Sequence, residues 1–288
     1  MMDKISNKYF IGVFWFLCSI IIGVANDIVT KKLGKNINSF EIVFFRFFFG
    51  TIALIPFIIK VGKKSLYSSN KIIHVIRGTL LFGGIWIWTH SLNNIHVATA
   101  TVINFTIPIF VLILAKIILN EKVGSARAVA TLIGFVGVFI VAFKPEAIDI
   151  TAVVLLLASF MFALLDVVNK KYVVKESMIA MIFYSNIITM LCSVPFIINE
   201  FVTPSNEDFL LLIVLGVGAN LLLYCLLKAF SMADASALVP FRYFEILFSG
   251  YFGYLFFGEI PGFNTLLGSL LIIPSTLFIS YIASRRKG

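Results

Sequence analysis

Charged side chains buried in long apolar stretches are the residues of this sequence most able to do chemistry. Arg242 and Glu245 sit three apart inside the run that begins at Ala235, with Tyr243 between them. Residues three apart share one face of a helix. At about 1.5 Å of rise per residue the group falls midway along the run. Two readings are open: an internal ion pair that neutralises both charges, or a site. In a site, Arg242 meets a substrate carboxylate and Glu245 meets a cationic centre or carries a proton in coupled transport.

Arg46 lies within an earlier apolar run, either as a structural partner of Asp27 or Glu41 or as a second carboxylate clamp. Asp27 is a second candidate for proton coupling; pairing of Asp27 and Asp166 with the lysines that follow each of them is the plainer alternative. Trp86 and Tyr224 lie well inside their runs, where aromatic faces could stack on a ring or attract a cation by about 0.5–2 kcal/mol. Asn26, Asn104, Asn186 and Asn220 could hydrogen-bond the ring edge of a ligand or bridge helices, and bridging is the plainer reading for each of them. Catalytic signatures are missing. Gly62-Lys63-Lys64-Ser65 lacks the leading glycine of a phosphate-binding loop, and His74, His90 and His96 are scattered without a metal-binding spacing. Neither cofactor nor metal is expected, nor an enzyme.

The elements that position these groups follow from composition. The 288 residues are 60% hydrophobic and only 13% charged, against roughly 45–50% and about 25% in soluble domains. That leaves too little polar surface for a water-soluble fold and points to an all-α protein embedded in membrane lipid. The net charge of +9 does not signal nucleic acid, because no basic stretch is interleaved with solvent-facing aromatics. Cys18, Cys192 and Cys225 lie in apolar runs without metal or disulfide spacing.

A helix needs about 20 apolar residues to cross a bilayer. Ten such stretches are read at 9–30, 39–60, 72–92, 96–119, 126–143, 150–170, 177–199, 209–231, 235–257 and 263–283. Pro108, Pro240 and Pro274 suggest local breaks. Lys4, Lys8 and Gly23-Val24-Ala25 give the first stretch a leader-like outline, but its loss would destroy the repeat described next, so it is expected to stay. Lys60, Lys63, Lys64, Lys71, Arg77 and most other basic residues fall on the amino-terminal side. Only Lys31, Lys32, Lys35 and Lys144 fall opposite. Basic residues collect in cytoplasmic loops, so both termini are expected in the cytoplasm of a multi-pass inner-membrane protein.

The halves match each other. Asp27-Ile28-Val29-Thr30-Lys31-Lys32 aligns with Asp166-Val167-Val168-Asn169-Lys170-Lys171, and Pro56-Phe57-Ile58-Ile59 with Pro195-Phe196-Ile197-Ile198 at the same offset. An offset one shorter aligns Gly78 with Gly216, Trp86 with Tyr224, and Glu121 with Glu259. Five spans per copy, an odd number, insert the second copy upside down. The expected fold is therefore ten transmembrane helices as two inverted five-helix repeats, residues 1–146 and 147–288. This is an architecture of secondary transporters, with substrate held between the halves. The cavity is expected between the third, fourth, eighth and ninth spans.

Two repeats, Glu121 and Glu259 closing the fourth and ninth spans, and Gly134-Phe135-Val136-Gly137 resemble the drug/metabolite transporter superfamily with paired EamA domains. More narrowly, several strings are similar to the branch of that superfamily that takes up S-adenosylmethionine in obligate intracellular bacteria. They include Ala25-Asn26-Asp27, Ser39-Phe40-Glu41, Ala98-Thr99-Ala100-Thr101-Val102 and Leu227-Lys228-Ala229-Phe230-Ser231-Met232. Pro240-Phe241-Arg242-Tyr243-Phe244-Glu245 departs from that branch at its two Phe positions, where Tyr and Leu are expected. The resemblance implies alternating-access transport of S-adenosylmethionine or a related metabolite, with S-adenosylhomocysteine as an exchange partner. Export of amino acids or drug-like metabolites is the alternative, and a non-transporting membrane enzyme or lipid-handling protein a further one. The partners expected are thus a small-molecule substrate and membrane lipid.

Overall fold

The computed structural model describes residues 2–94, 103–121, 123–142, 150–198 and 201–257, together with Leu270, Leu271, Pro274 and Phe278. The described residues are all helical or connecting, without strands. The long helices are α1 (Met2–Leu33), α2 (Ser39–Val61), α3 (Lys71–Asn94), α5 (Ser125–Ala142), α6 (Ile150–Tyr172), α7 (Met178–Ile197) and α8 (Asn206–Met232). Shorter ones are α4 (Ile107–Ile118), α9 (Ala235–Leu238) and α10 (Glu245–Phe257), with a 3₁₀ segment at Val239–Phe244. Among the described residues, six helices are long and apolar enough to span a bilayer: α1, α2, α3, α6, α7 and α8. Residues 96–102 of the expected fourth span, and all of the expected tenth but Leu270, Leu271, Pro274 and Phe278, lie outside the described residues.

Local chemistry sets the helix starts. Asn38 caps α2 by accepting from the Phe40 amide at 3.0 Å. Ser205 caps α8 by accepting from the Asp208 amide at 3.2 Å, and Glu207 and Asp208 lie in that helix's first turn, where negative charge is favoured. The fourth and ninth spans are not continuous helices. The fourth turns at Phe105-Thr106, where the Thr106 hydroxyl donates to the Ile103 carbonyl at 2.7 Å, and α4 restarts with Pro108 in its first turn. The ninth passes from α9 through the 3₁₀ segment, which begins beside Pro240, into α10. Proline has no amide to donate, so it is tolerated at helix starts and interrupts the helix elsewhere.

Packing is reciprocal between the halves. Helix α1 lies along α8 as α6 lies along α3; α2 meets α8 as α7 meets α3; and α2 crosses α7 directly. The register-matched glycines sit at the matching crossings. A Cβ on Gly216 of α8 would lie 2.7 Å from the Gly50 nitrogen and 2.8 Å from the Arg46 carbonyl on α2. One on Gly78 of α3 would lie 2.5 Å from the Ile188 Cβ on α7. Small residues let backbones approach where lipid offers no hydrophobic drive.

Buried amides and hydroxyls join the same helices. Asn186 donates to Asn220 at 2.7 Å, Asn220 to the Gly50 carbonyl at 2.6 Å, and Thr189 to the Gly78 carbonyl at 3.0 Å. These asparagines bridge helices, as read from the sequence. Fully buried Arg77 ties α3 to α6 and α7 through Asn169 Oδ1 at 2.7 Å and the Met181 carbonyl at 2.9 Å. Outward faces are apolar, with Phe57, Ile59, Ile72, Ile117 and Leu210 exposed, as a lipid-facing belt requires.

Candidate functional site

A cavity of about 140 Å³ lies between α1, α2, α3, α6 and α8 and the two interrupted spans. That volume holds several waters, so polar walls can be hydrated before a ligand arrives. Apolar groups, including Phe16, Phe47, Ile85, Phe162 and Leu223, form most of the wall. Into it project three carboxylates, Asp27, Asp166 and Glu245, and two guanidiniums, Arg46 and Arg242. The wall takes in the first, second and sixth helices as well as the third, fourth, eighth and ninth spans expected to line it.

The charges are arranged unequally. Arg242 Nη2 donates to Asp166 Oδ2 at 2.7 Å, and its guanidinium carbon lies 5.9 Å from the centre of the Phe16 ring. Asp27 Oδ1 accepts from Trp88 Nε1 at 3.0 Å and is coupled electrostatically to Arg46. Neither aspartate thus takes the following lysines as its partner; Lys170 instead donates to the Phe230 and Ala233 carbonyls at the end of α8, at 2.8 and 2.6 Å. Arg46 is buried, and its Nε has no hydrogen-bond partner among the described residues. Asn104 Oδ1 is likewise buried without one. Glu245 opens α10, where the helix dipole favours a carboxylate, close enough to Asp27 and Arg242 for electrostatic coupling. Charge at this depth is costly, and an unpaired buried polar atom adds about 1–3 kcal/mol. A ligand that completes these partnerships recovers that energy.

The structure thus brings together Arg242, Glu245, Arg46, Asn104 and Asp27 from the sequence-based set. Arg242 and Glu245 share a face as their spacing implied, yet Arg242 pairs with Asp166 and not with Glu245. Three aromatic candidates lie off the cavity wall. Tyr243 is fully buried, donates to the Thr131 carbonyl at 2.9 Å and meets Phe105 edge to face at 5.6 Å. Trp86 stacks on Phe40 at 4.7 Å. Tyr224 stands edge-on to Trp15 at 5.8 Å and is 39% exposed. Trp88, Phe16, Phe47 and Phe162 supply the aromatic wall instead. Asp166 and Trp88 are the site residues that sequence reasoning did not select, although the match of Asp166 to Asp27 was a usable signal.

Glu121, read as a span-closing residue, has a defined role. It accepts from the Ala235 and Ser236 amides at 3.0 and 3.1 Å and so anchors the start of the ninth span. Among the described residues no cluster of His, Cys, Asp and Glu could hold a metal ion.

The sequence is 47% identical to the S-adenosylmethionine uptake transporter of Rickettsia bellii, over 97% of both chains. It is 46% identical to that of Rickettsia conorii, over 97% of this chain and 96% of the other. A riboflavin transporter of Brucella anthropi matches at 27% identity over 88% of this chain and 93% of its own. A solved structure superposes with a TM-score of 0.81 at 15% identity, covering 98% of this chain and 99% of that one, which fixes the likeness of fold. The model of the EamA-like transporter family matches residues 10–143 and again residues 149–281. The chain is a multi-pass membrane protein that belongs to the EamA-like transporter family.

Proposed function

We propose that this protein carries S-adenosylmethionine across the bacterial inner membrane by alternating access, in the direction of uptake, with S-adenosylhomocysteine as the exchange partner. The observation that carries the reading is the 46–47% identity over nearly the whole chain to transporters named for that substrate. The cavity fits the chemistry. S-adenosylmethionine offers a carboxylate, an ammonium, a sulfonium and a purine.

Nε is unpartnered in both arginines, but Arg242 is committed to Asp166 through Nη2, so Arg46 suits the carboxylate better. Glu245 and Asp27 suit the cationic centres and are the candidate proton carriers. Asn104 suits a purine edge, and Trp88 with Phe16 and Phe162 suit its faces. Tyr243, Trp86 and Tyr224 then act behind this wall, as supports for the helices that form it.

Alternating access rests on ten helices in two inverted copies, residues 1–146 and 147–288. The reciprocal packing of α1 on α8 and α6 on α3 supports that division, as does the excess of Lys and Arg on one side for cytoplasmic termini. The test is accumulation of radiolabelled S-adenosylmethionine by bacteria that lack such uptake and express the chain. Competition by excess S-adenosylhomocysteine and by amino acids reads its selectivity. Correct insertion without accumulation would overturn the proposal.

A further inference from the structure

The cavity wall carries one carboxylate more than it carries guanidiniums. The groups facing one another across it are Asp27 on α1, Arg46 on α2, Asp166 on α6, Arg242 on the 3₁₀ segment and Glu245 on α10. Asn104, Trp88 and Ser19 complete the polar wall and are neutral. Asp166 is taken by Arg242 at 2.7 Å, and Asp27 has Trp88 at 3.0 Å and the field of Arg46. Glu245 alone of the three carboxylates has no hydrogen-bond or ion-pair partner among the described residues. When the helices close over the cavity and exclude water, an uncompensated charge costs several kcal/mol. Closure is therefore favourable only when the excess negative charge is matched.

We propose that the cavity must hold one net positive charge to cross, with Glu245 as the charge-matching residue, so that a monocationic cargo is exchanged for a monocation or a proton without net charge movement. The inference rests on the substrate reading above, since S-adenosylmethionine carries one net positive charge at neutral pH. It adds a selection rule. A cation displaces the proton on Glu245, whereas a neutral zwitterion of the same shape crosses only with that proton aboard. The thioether counterpart returns with one proton on Glu245, and the next S-adenosylmethionine displaces that same proton to the outside, so each turnover moves one cation in and one proton out.

The test uses the full chain in proteoliposomes. An inside-negative potential of about 100 mV concentrates an uncompensated monocation about 50-fold. The expected result is accumulation of S-adenosylmethionine within about two-fold of its value at zero potential. A rise approaching 50-fold overturns the inference while leaving the substrate reading intact; absence of any uptake overturns both. A second measurement follows competition between pH 7.5 and pH 6. Inhibition by S-adenosylhomocysteine should tighten several-fold as pH falls, and inhibition by unlabelled S-adenosylmethionine should weaken. Parallel trends for the two competitors count against the inference. In Glu245→Gln the pH trend of the thioether should vanish, and its persistence would likewise overturn the proposal. If that variant does not insert, the wild-type potential and competition measurements decide alone.

Discussion

Asp166 holds Arg242 at 2.7 Å, and in the register of the repeat the corresponding pair in the first half is Asp27 with Asn104. One half thus closes its aspartate with a guanidinium, while the other places a neutral amide there and leaves Asn104 Oδ1 unpartnered. The same exchange of size recurs beside it. Gly23 of α1 faces Leu222 of α8, and at the matching positions Phe162 of α6 faces Gly84 of α3. The matched helices pack reciprocally, and unlike residues at matched positions make the cavity wall asymmetric.

The Asp166–Arg242 pair should behave as a unit. Asp166→Asn leaves a guanidinium unpaired at membrane depth and is expected to lower stability by about 1–3 kcal/mol. Thermal unfolding of the detergent-solubilised protein measures it. Combining it with Arg242→Gln should recover most of that loss, because removing both charges removes the unmatched one. Full additivity of the two losses would show that the groups do not interact in the folded protein.

Gly216 fixes the crossing of α2 and α8. Gly216→Ala pushes a Cβ to 2.7 Å from the Gly50 nitrogen and 2.8 Å from the Arg46 carbonyl, both backbone atoms that cannot yield locally. A loss of about 1–3 kcal/mol is expected from the overpacking. Arg46 should move with its backbone, raising the substrate KM. Gly250→Ala, where nothing lies within 4 Å of the added carbon, is the neutral control.

Glu176 lies in the loop between α6 and α7, outside the spans. Burial pushes its carboxyl upward, but hydrogen bonds from Ser69 (2.9 Å) and Ser68 and the charge of His74 outweigh this and hold it below its ordinary 4.5. A depressed carboxyl stabilises the fold above its unfolded value and loses that contribution as pH falls through the folded one. Stability should therefore decline below about pH 4.5, and Glu176→Gln should flatten that acid limb. An unchanged limb in a pH series of unfolding midpoints would remove Glu176 from it.

The all-helical, membrane-spanning character was legible because hydropathy reports burial directly, and the matched Gly78 and Gly216 both mark close helix crossings. The facing of single aromatics was not. Trp86 and Trp88 are two residues apart on α3 and so point to different sides of it. Both sides of a buried helix are apolar, so composition does not tell the cavity face from the packing face. Of the two readings open for Arg242, the pairing with Glu245 does not form, and Asp166 takes its place. Spacing along one chain reveals Glu245 as a neighbour but not Asp166, which arrives from another helix.

Arg46 should be the most geometry-sensitive group in the cavity. Arg46→Lys keeps the charge but loses the planar fork that holds a carboxylate with two hydrogen bonds. An increase in KM of about ten-fold or more is expected, with normal insertion. A decarboxylated analogue should lose its affinity difference between wild type and variant. If Lys supports wild-type KM, the carboxylate is held elsewhere.

The two tryptophans give the sharpest separation of wall from support. Trp88→Phe removes the indole donor that holds Asp27 at 3.0 Å while keeping an aromatic face. Loss of one hydrogen bond to a charged group is worth about 1.5–3 kcal/mol, or roughly ten-fold or more in affinity, expressed in KM and in its pH dependence through Asp27. Trp86→Phe keeps the stack on Phe40 at 4.7 Å and touches no lining residue's hydrogen bond, so its KM should stay within about two-fold of wild type. Trp86→Ala should instead lower the unfolding midpoint by breaking the Trp86–Phe40–Phe196 stack, whose second contact is 4.6 Å. Reversed outcomes, a kinetic defect in Trp86→Phe and none in Trp88→Phe, would place the substrate on the opposite face of α3.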